Sequence, residues 1–161
     1  MSRWRGRGWV VPLCVLVATV LGVVPLPEAV QPLRPFWLAL IVAWMVIELP
    51  ERFGIGRAFL LGLLADMVYG SLLGEHALRL VLLTFVLQHF RARMRFFPLL
   101  QQAMVIGVLL FADRGLTALL HLVLGQAAQP WLWWGAPLVG MLLWPPLFVL
   151  LDRLGHGRRG R

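Results

Sequence analysis

The sequence predicts an all-α fold, a polytopic membrane bundle of about six transmembrane helices with both termini in the cytoplasm. Three observations predict it. Hydrophobic residues make up 60% of the 161 residues and charged residues 14%, against roughly 25% charge in an ordinary soluble domain. The apolar residues gather into six runs joined by short connections rich in Pro, Gly and Arg, the residue types that interrupt helices and mark loops. Those connections carry many arginines on alternate sides of the runs and few on the others, the asymmetry that orients helices in a bilayer.

A hydrocarbon core about 30 Å thick needs roughly 20 mostly apolar helical residues to cross it. The first run, 9–26, follows the basic residues Arg3, Arg5 and Arg7, as a signal peptide would. Its exit, Val24-Pro25-Leu26-Pro27-Glu28-Ala29, lacks a small-x-small cleavage site, so it reads as a retained signal anchor. It holds Cys14, the single cysteine, and no internal disulfide is possible. The second run, 35–49, ends in an interfacial cluster of Glu48, Glu51 and Arg52. The third, 58–73, carries Asp66 near its middle. The fourth, 77–90, would reach only about 21 Å if straight, so Arg79 and Arg91 are expected to snorkel from its ends. A re-entrant hairpin of the third and fourth runs is the alternative. The fifth, 99–125, is long enough to span, and the sixth, 131–151, contains Pro137, Pro145 and Pro146, which should bend it. With no repeat and no long polar segment, residues 1–161 read as one membrane domain.

The formal net charge is +8 and all fifteen basic residues are Arg. In a soluble protein that balance would suggest a nucleic acid partner. Here the arginines sit in short clusters between apolar runs, so membrane lipids are the expected polyanion and no nucleic acid is expected. Arg3, Arg5, Arg7, the Arg52 to Arg57 connection, the basic loop Arg91, Arg93 and Arg95, and the arginines from Arg153 onward fall on one side. Only Arg34 and Arg79 fall on the other, while Arg114 lies inside the fifth run. The richer side is cytoplasmic.

Two intramembrane stripes are candidate functional features. Gly62, Asp66, Gly70 and Gly74 recur every four residues, which places them on one helical face where another backbone could approach closely. That face is the expected packing seam or partner surface. Asp66 is expected to hydrogen-bond a neighbouring helix, with Arg114 as a candidate buried partner; a partner contact or solute binding are the alternatives. Asp113, Thr117 and His121 form a second polar stripe, from which Arg114 points about 100° away. The four histidines lack metal-site spacing, and neither a nucleophile motif nor a phosphate loop appears. No metal, no cofactor and no catalytic residue are therefore expected.

The segments Leu49-Pro50-Glu51-Arg52-Phe53-Gly54, Gly62-Leu63-Leu64-Ala65-Asp66 and Gly70-Ser71-Leu72-Leu73-Gly74-Glu75-His76-Ala77-Leu78 form a distinctive order of motifs. The basic residues Arg91 to Arg95 and Phe97-Pro98-Leu99-Leu100-Gln101-Gln102-Ala103 complete it. Together they resemble the MreD family of bacterial rod shape-determining membrane proteins. The resemblance implies a non-enzymatic inner-membrane component of the elongation machinery, involved in cell shape and lateral peptidoglycan synthesis. Its implied partners are MreC, the actin-like MreB, RodA and the class B penicillin-binding transpeptidase. It also implies a fold similar to the substrate-binding S components of energy-coupling-factor transporters. That similarity supplies an alternative, a transporter subunit for a small solute or lipid intermediate, with Asp66, Asp113, Thr117 and His121 lining its cavity.

Overall fold

A computed structural model describes residues 9–127 and 129–156. The basic clusters Arg3, Arg5, Arg7 and Arg158, Arg159, Arg161 lie outside the described residues. Among the described residues there are six α-helices and no strand: α1 (Val10–Val23), α2 (Trp37–Glu48), α3 (Ile55–Tyr69), α4 (Glu75–Met94), α5 (Leu99–Val123) and α6 (Ala136–His156). Short 3-10 turns over Gln31–Leu33 and Trp131–Gly135 precede α2 and α6.

The centre of the bundle is α2. Every residue from Leu38 to Ile47 is buried, because α1, α4 and α6 all pack around it. Its sequence, WLALIVAWMVIE, is apolar on every side of the helix, and a helix without a polar face is stable only when enclosed on all sides. Its 12 residues reach about 18 Å, and it forms the enclosed core element of the bundle. Trp44 and Trp144 are completely buried and fill the space between α2 and its neighbours.

A second packing unit is the α3–α4 hairpin, the most extensive helix pair. Gly62 makes it possible. A Cβ at that position would collide with the backbone of Ala77 and His76, so the two helices touch through main chain. The α5–α6 pair uses the same device more loosely, since Gly107 faces the side chain of Met141 and Gly140 faces Leu110.

Several boundaries differ from the sequence expectation, each for a local reason. The fourth run becomes the 20-residue α4, about 30 Å long. Glu75 in its first turn and Arg91 and Arg93 in its last match the helix dipole, so polar residues lengthen the helix at both ends. Arg79 does not snorkel; it is buried at 7% exposure. The expected basic loop is correspondingly the last turn of α4, with only Arg95 beyond it, as the C-cap.

The third run stops at Tyr69 instead of 73, because Gly70 turns into the left-handed region at φ 64° and caps α3. The tryptophan-rich start of the sixth run is a 3-10 turn. Pro137 then falls in the first turn of α6, where its missing N–H is harmless. Beyond it α6 runs through Pro145 and Pro146 without interruption.

Two segments, Leu99–Val123 and Trp131–Leu154, are long and apolar enough to cross a membrane. The outward faces are apolar too. Leu60, Leu64 and Met67 on α3, Leu100, Met104, Val108 and Phe111 on α5, and Leu138 and Leu142 on α6 are all exposed. Their spacing of three or four residues makes each set one continuous stripe, and a water-soluble surface rarely carries apolar patches of that extent.

Candidate functional site: a polar cluster at one end of the bundle

Asp66, Ser71, His76, Arg79 and Asp113 come together where α1 and α3 end and α2, α4 and α6 begin. Two networks of hydrogen bonds and ion pairs lie there. Among the described residues, no three His, Cys, Asp or Glu side chains come together to hold a metal ion.

The first network is centred on Asp66, 1% exposed. Its Oδ2 accepts the N–H of Gly74 at 2.7 Å, and its Oδ1 accepts the N–H of His76 at 2.8 Å. These are main-chain groups at the start of α4, which has no cap from its own residues. A carboxylate supplied by the preceding helix thus satisfies two of the orphan donors of α4 and complements its dipole.

Ser71 Oγ donates to Asp66 Oδ1 at 2.8 Å, and His76 Nδ1 lies 2.9 Å from the same oxygen. The Ser-His-Asp composition invites a catalytic reading, but Ser71 Oγ also approaches His76 Nδ1, at 2.9 Å. A proton relay needs serine and carboxylate on opposite ring nitrogens. With both on Nδ1, the group is a brace for the turn.

The sequence pattern placed Gly62, Asp66, Gly70 and Gly74 on one helical face. In the structure only Gly62 and Asp66 share α3. Gly70 and Gly74 are the left-handed residues, φ 64° and 101°, that bracket the turn. Their four-residue spacing reflects turn geometry, and Gly62 is already occupied by Ala77 of the same chain.

Removing the Asp66 carboxylate strands buried donors, so Asp66→Ala is expected to cost about 3 kcal/mol. Asp66→Asn retains one acceptor oxygen and should cost about half that. Thermal unfolding in detergent checks this; equal losses for the two variants would show that the carboxylate does not cap α4.

The second network joins α4 to α5. Arg79 donates from Nε to Asp113 Oδ1 at 2.7 Å and from Nη2 to Oδ2 at 2.6 Å, the two-pronged geometry that makes arginine–carboxylate pairs strong. Glu75 Oε1 stands 3.5 Å from Arg79 Nη1, one turn earlier on α4. The Arg79 guanidinium also lies 4.3 Å over the ring of Phe36. Thr117 donates to the Asp113 carbonyl at 2.9 Å, and His121 Nε2 lies 3.8 Å from Glu75. The Asp113, Thr117, His121 stripe therefore faces Glu75 and Arg79.

Arg114, expected opposite Asp66, goes elsewhere. Its Nη2 donates to the Arg34 carbonyl at 3.1 Å, and its guanidinium lies 4.2 Å over Trp133. The residues that sequence reasoning missed are Arg79 and His76. Arg79 resembled an interfacial snorkelling residue, and its i, i+4 spacing from Glu75 was the signal that could have revealed it. At the opposite end Arg91 donates to the Ile47 carbonyl at 3.2 Å, while Arg93 and Arg95 are exposed.

Among the described residues, Asp66, Asp113, Thr117 and His121 do not line one common cavity. An open pocket of about 430 Å³ between the helix ends is lined by other residues, Arg34, Arg79 and Arg114 among them. His121 borders a separate space of about 230 Å³ and Asp113 one of about 150 Å³.

Comparison with known proteins supplies the family. No solved structure matches the chain. The rod shape-determining protein MreD of Haemophilus influenzae is 32% identical over 139 residues, covering 86% of this chain and 86% of its own length. The family model described as rod shape-determining protein MreD matches residues 5–154. With the model matched across nearly the whole chain and the relative agreeing over most of both lengths, the chain belongs to the MreD family.

Proposed function

We propose that this chain is a non-enzymatic scaffold in the inner-membrane machinery that sets cell shape and directs lateral peptidoglycan synthesis. It crosses the bilayer six times with both termini cytoplasmic, and α2 is carried through as the sheathed core of the bundle. It holds MreC in register with MreB, RodA and the class B penicillin-binding transpeptidase. Membership of a rod shape-determining family supports the setting.

The observation that carries the scaffold reading is how the polar groups are spent. Asp66, Asp113 and Thr117 are each bonded within the chain, which rigidifies the bundle. The outward faces of α3, α5 and α6 are left apolar. In lipid such faces offer packing surface to another transmembrane helix. A transporter subunit for a small solute or lipid intermediate would instead need those polar groups free in one cavity. The exposed Arg93 and Arg95 meet cytoplasmic partners or anionic lipid.

The full-length chain should co-purify with MreC in nanodiscs, and depleting it should round rod-shaped cells. Repeated failure to recover MreC under conditions that preserve other membrane complexes would overturn the scaffold. Labelling of either terminus from outside intact cells would overturn the topology.

A further inference from the structure

The 430 Å³ pocket between the helix ends is lined by three arginines, Arg34, Arg79 and Arg114, and by the aromatic residues Trp37, Tyr69 and Trp133. Only one of the three charges is neutralised. Arg79 is paired with Asp113 and Glu75. Among the described residues Arg34 and Arg114 have no carboxylate partner.

Arg34 donates to the carbonyls of Gly22 and Val24, and its Nε is buried with no partner at all. Arg114 donates to the Arg34 carbonyl and rests on Trp133. Carbonyl oxygens and a ring face fix a guanidinium in position without cancelling its charge. Each side chain carries five N–H donors, so several remain to point at a ligand. Two oriented guanidinium groups with no carboxylate partner among the described residues thus border one open pocket, an arrangement suited to an anion.

We propose that this pocket binds the phosphate group of an anionic ligand, and that the surroundings favour the phosphodiester of an anionic phospholipid. A phosphate presents several oxygens to two guanidinium forks at once, which a single carboxylate does less well. Trp37 and Trp133 line the pocket and Trp131 and Trp134 stand exposed beside it, an indole belt of the kind that sits at headgroup depth. Gly22 forms one wall, and its chain neighbours Leu21, Val23 and Val24 are exposed. They offer an apolar track on which an acyl chain would lie. The binding rests on the pocket alone and does not depend on the scaffold reading.

The test uses the full-length chain in phosphatidylcholine nanodiscs, with and without phosphatidylglycerol, and native mass spectrometry to count the lipids retained. Wild type should retain phosphatidylglycerol above its bulk proportion. Arg34→Gln and Arg114→Gln should each lower that enrichment about tenfold. Arg57→Gln, at an exposed arginine near the start of α3 that meets lipid only at the surface, should lower it by less than about twofold.

A second arm adds inorganic phosphate to phosphatidylcholine nanodiscs and reads the thermal midpoint. Stabilisation of wild type but not of Arg114→Gln, without lipid enrichment, would support the phosphate site and assign it to free phosphate. If Arg114→Gln does not fold, Arg114→Lys, which keeps the charge but loses the fork, takes its place. Enrichment that survives the Arg34 and Arg114 substitutions, or no selection for either phosphate source, would overturn the proposal.

Discussion

Replacing Gly62 with leucine is expected to force α3 away from α4 and leave little folded protein. Even Gly62→Ala should cost about 3 kcal/mol, at the upper end of ordinary overpacking. The reason is what the new Cβ would meet. At Gly107 or Gly140 an added methyl meets methionine or leucine side chains, which can rotate aside. At Gly62 it meets the main chain of Ala77 and His76, and main chain yields only if the whole helix moves. That movement would also pull the N–H of His76 off the Asp66 carboxylate, so the packing defect and the lost cap arrive together.

Gly56→Ala and Gly115→Ala provide the contrast. Both positions are helical, and an added Cβ meets nothing within 4 Å. They should gain about 0.5–1 kcal/mol from the reduced conformational freedom of the unfolded chain. Thermal midpoints in one detergent decide the matter. A Gly62→Ala protein as stable as the Gly56→Ala protein would mean that the α3–α4 contact is not close at all.

Breaking the Arg79–Asp113 pair should be nearly as damaging. Either Arg79→Met or Asp113→Leu alone leaves an uncompensated charge among helices, at a cost of about 3–5 kcal/mol. Together the two substitutions should recover much of the loss, because an apolar pair of similar volume has no desolvation penalty to offset. Glu75 sets the expected asymmetry. With Arg79 gone, both Glu75 and Asp113 lose their cation, whereas loss of Asp113 leaves Arg79 with Glu75 at 3.5 Å. Arg79→Met should therefore be the worse of the two single substitutions. Additive losses in the double mutant would show that the pair is not coupled.

The positions of helices were largely legible in the chain, because each apolar run is bounded by Pro, Gly or Arg and those boundaries act locally. The errors occurred where a polar residue extends a helix. Glu75 and Arg91 look like ends of a membrane run by hydropathy, yet the dipole makes them favourable first-turn and last-turn residues of α4. The four-residue spacing of Gly62, Asp66, Gly70 and Gly74 was misleading for a related reason. Periodicity cannot distinguish a helical stripe from a helix followed by a left-handed turn, and at Gly70 the turn prevails.

The candidate site was half legible. Asp66, Asp113, Thr117 and His121 are conspicuous as ionisable or polar residues in apolar runs. Their partners were not, because Arg79 lies 34 residues from Asp113 and Arg34 lies 80 from Arg114. Nothing in a single chain's composition pairs residues at such separations.

The sequence alone determined the all-helical class, the family and that Asp66 must find a partner inside the bundle, since these follow from local apolarity, from turn residues and from the order of motifs. Only the tertiary structure decided that α2 is the enclosed core, that Asp66 caps α4 and leaves Arg114 to Arg34 and Trp133, and that Arg34 and Arg114 keep their charge beside an open pocket. The physical reason is that a buried charge selects its partner by geometry at a few ångströms, and that geometry exists only once helices distant in the chain have packed.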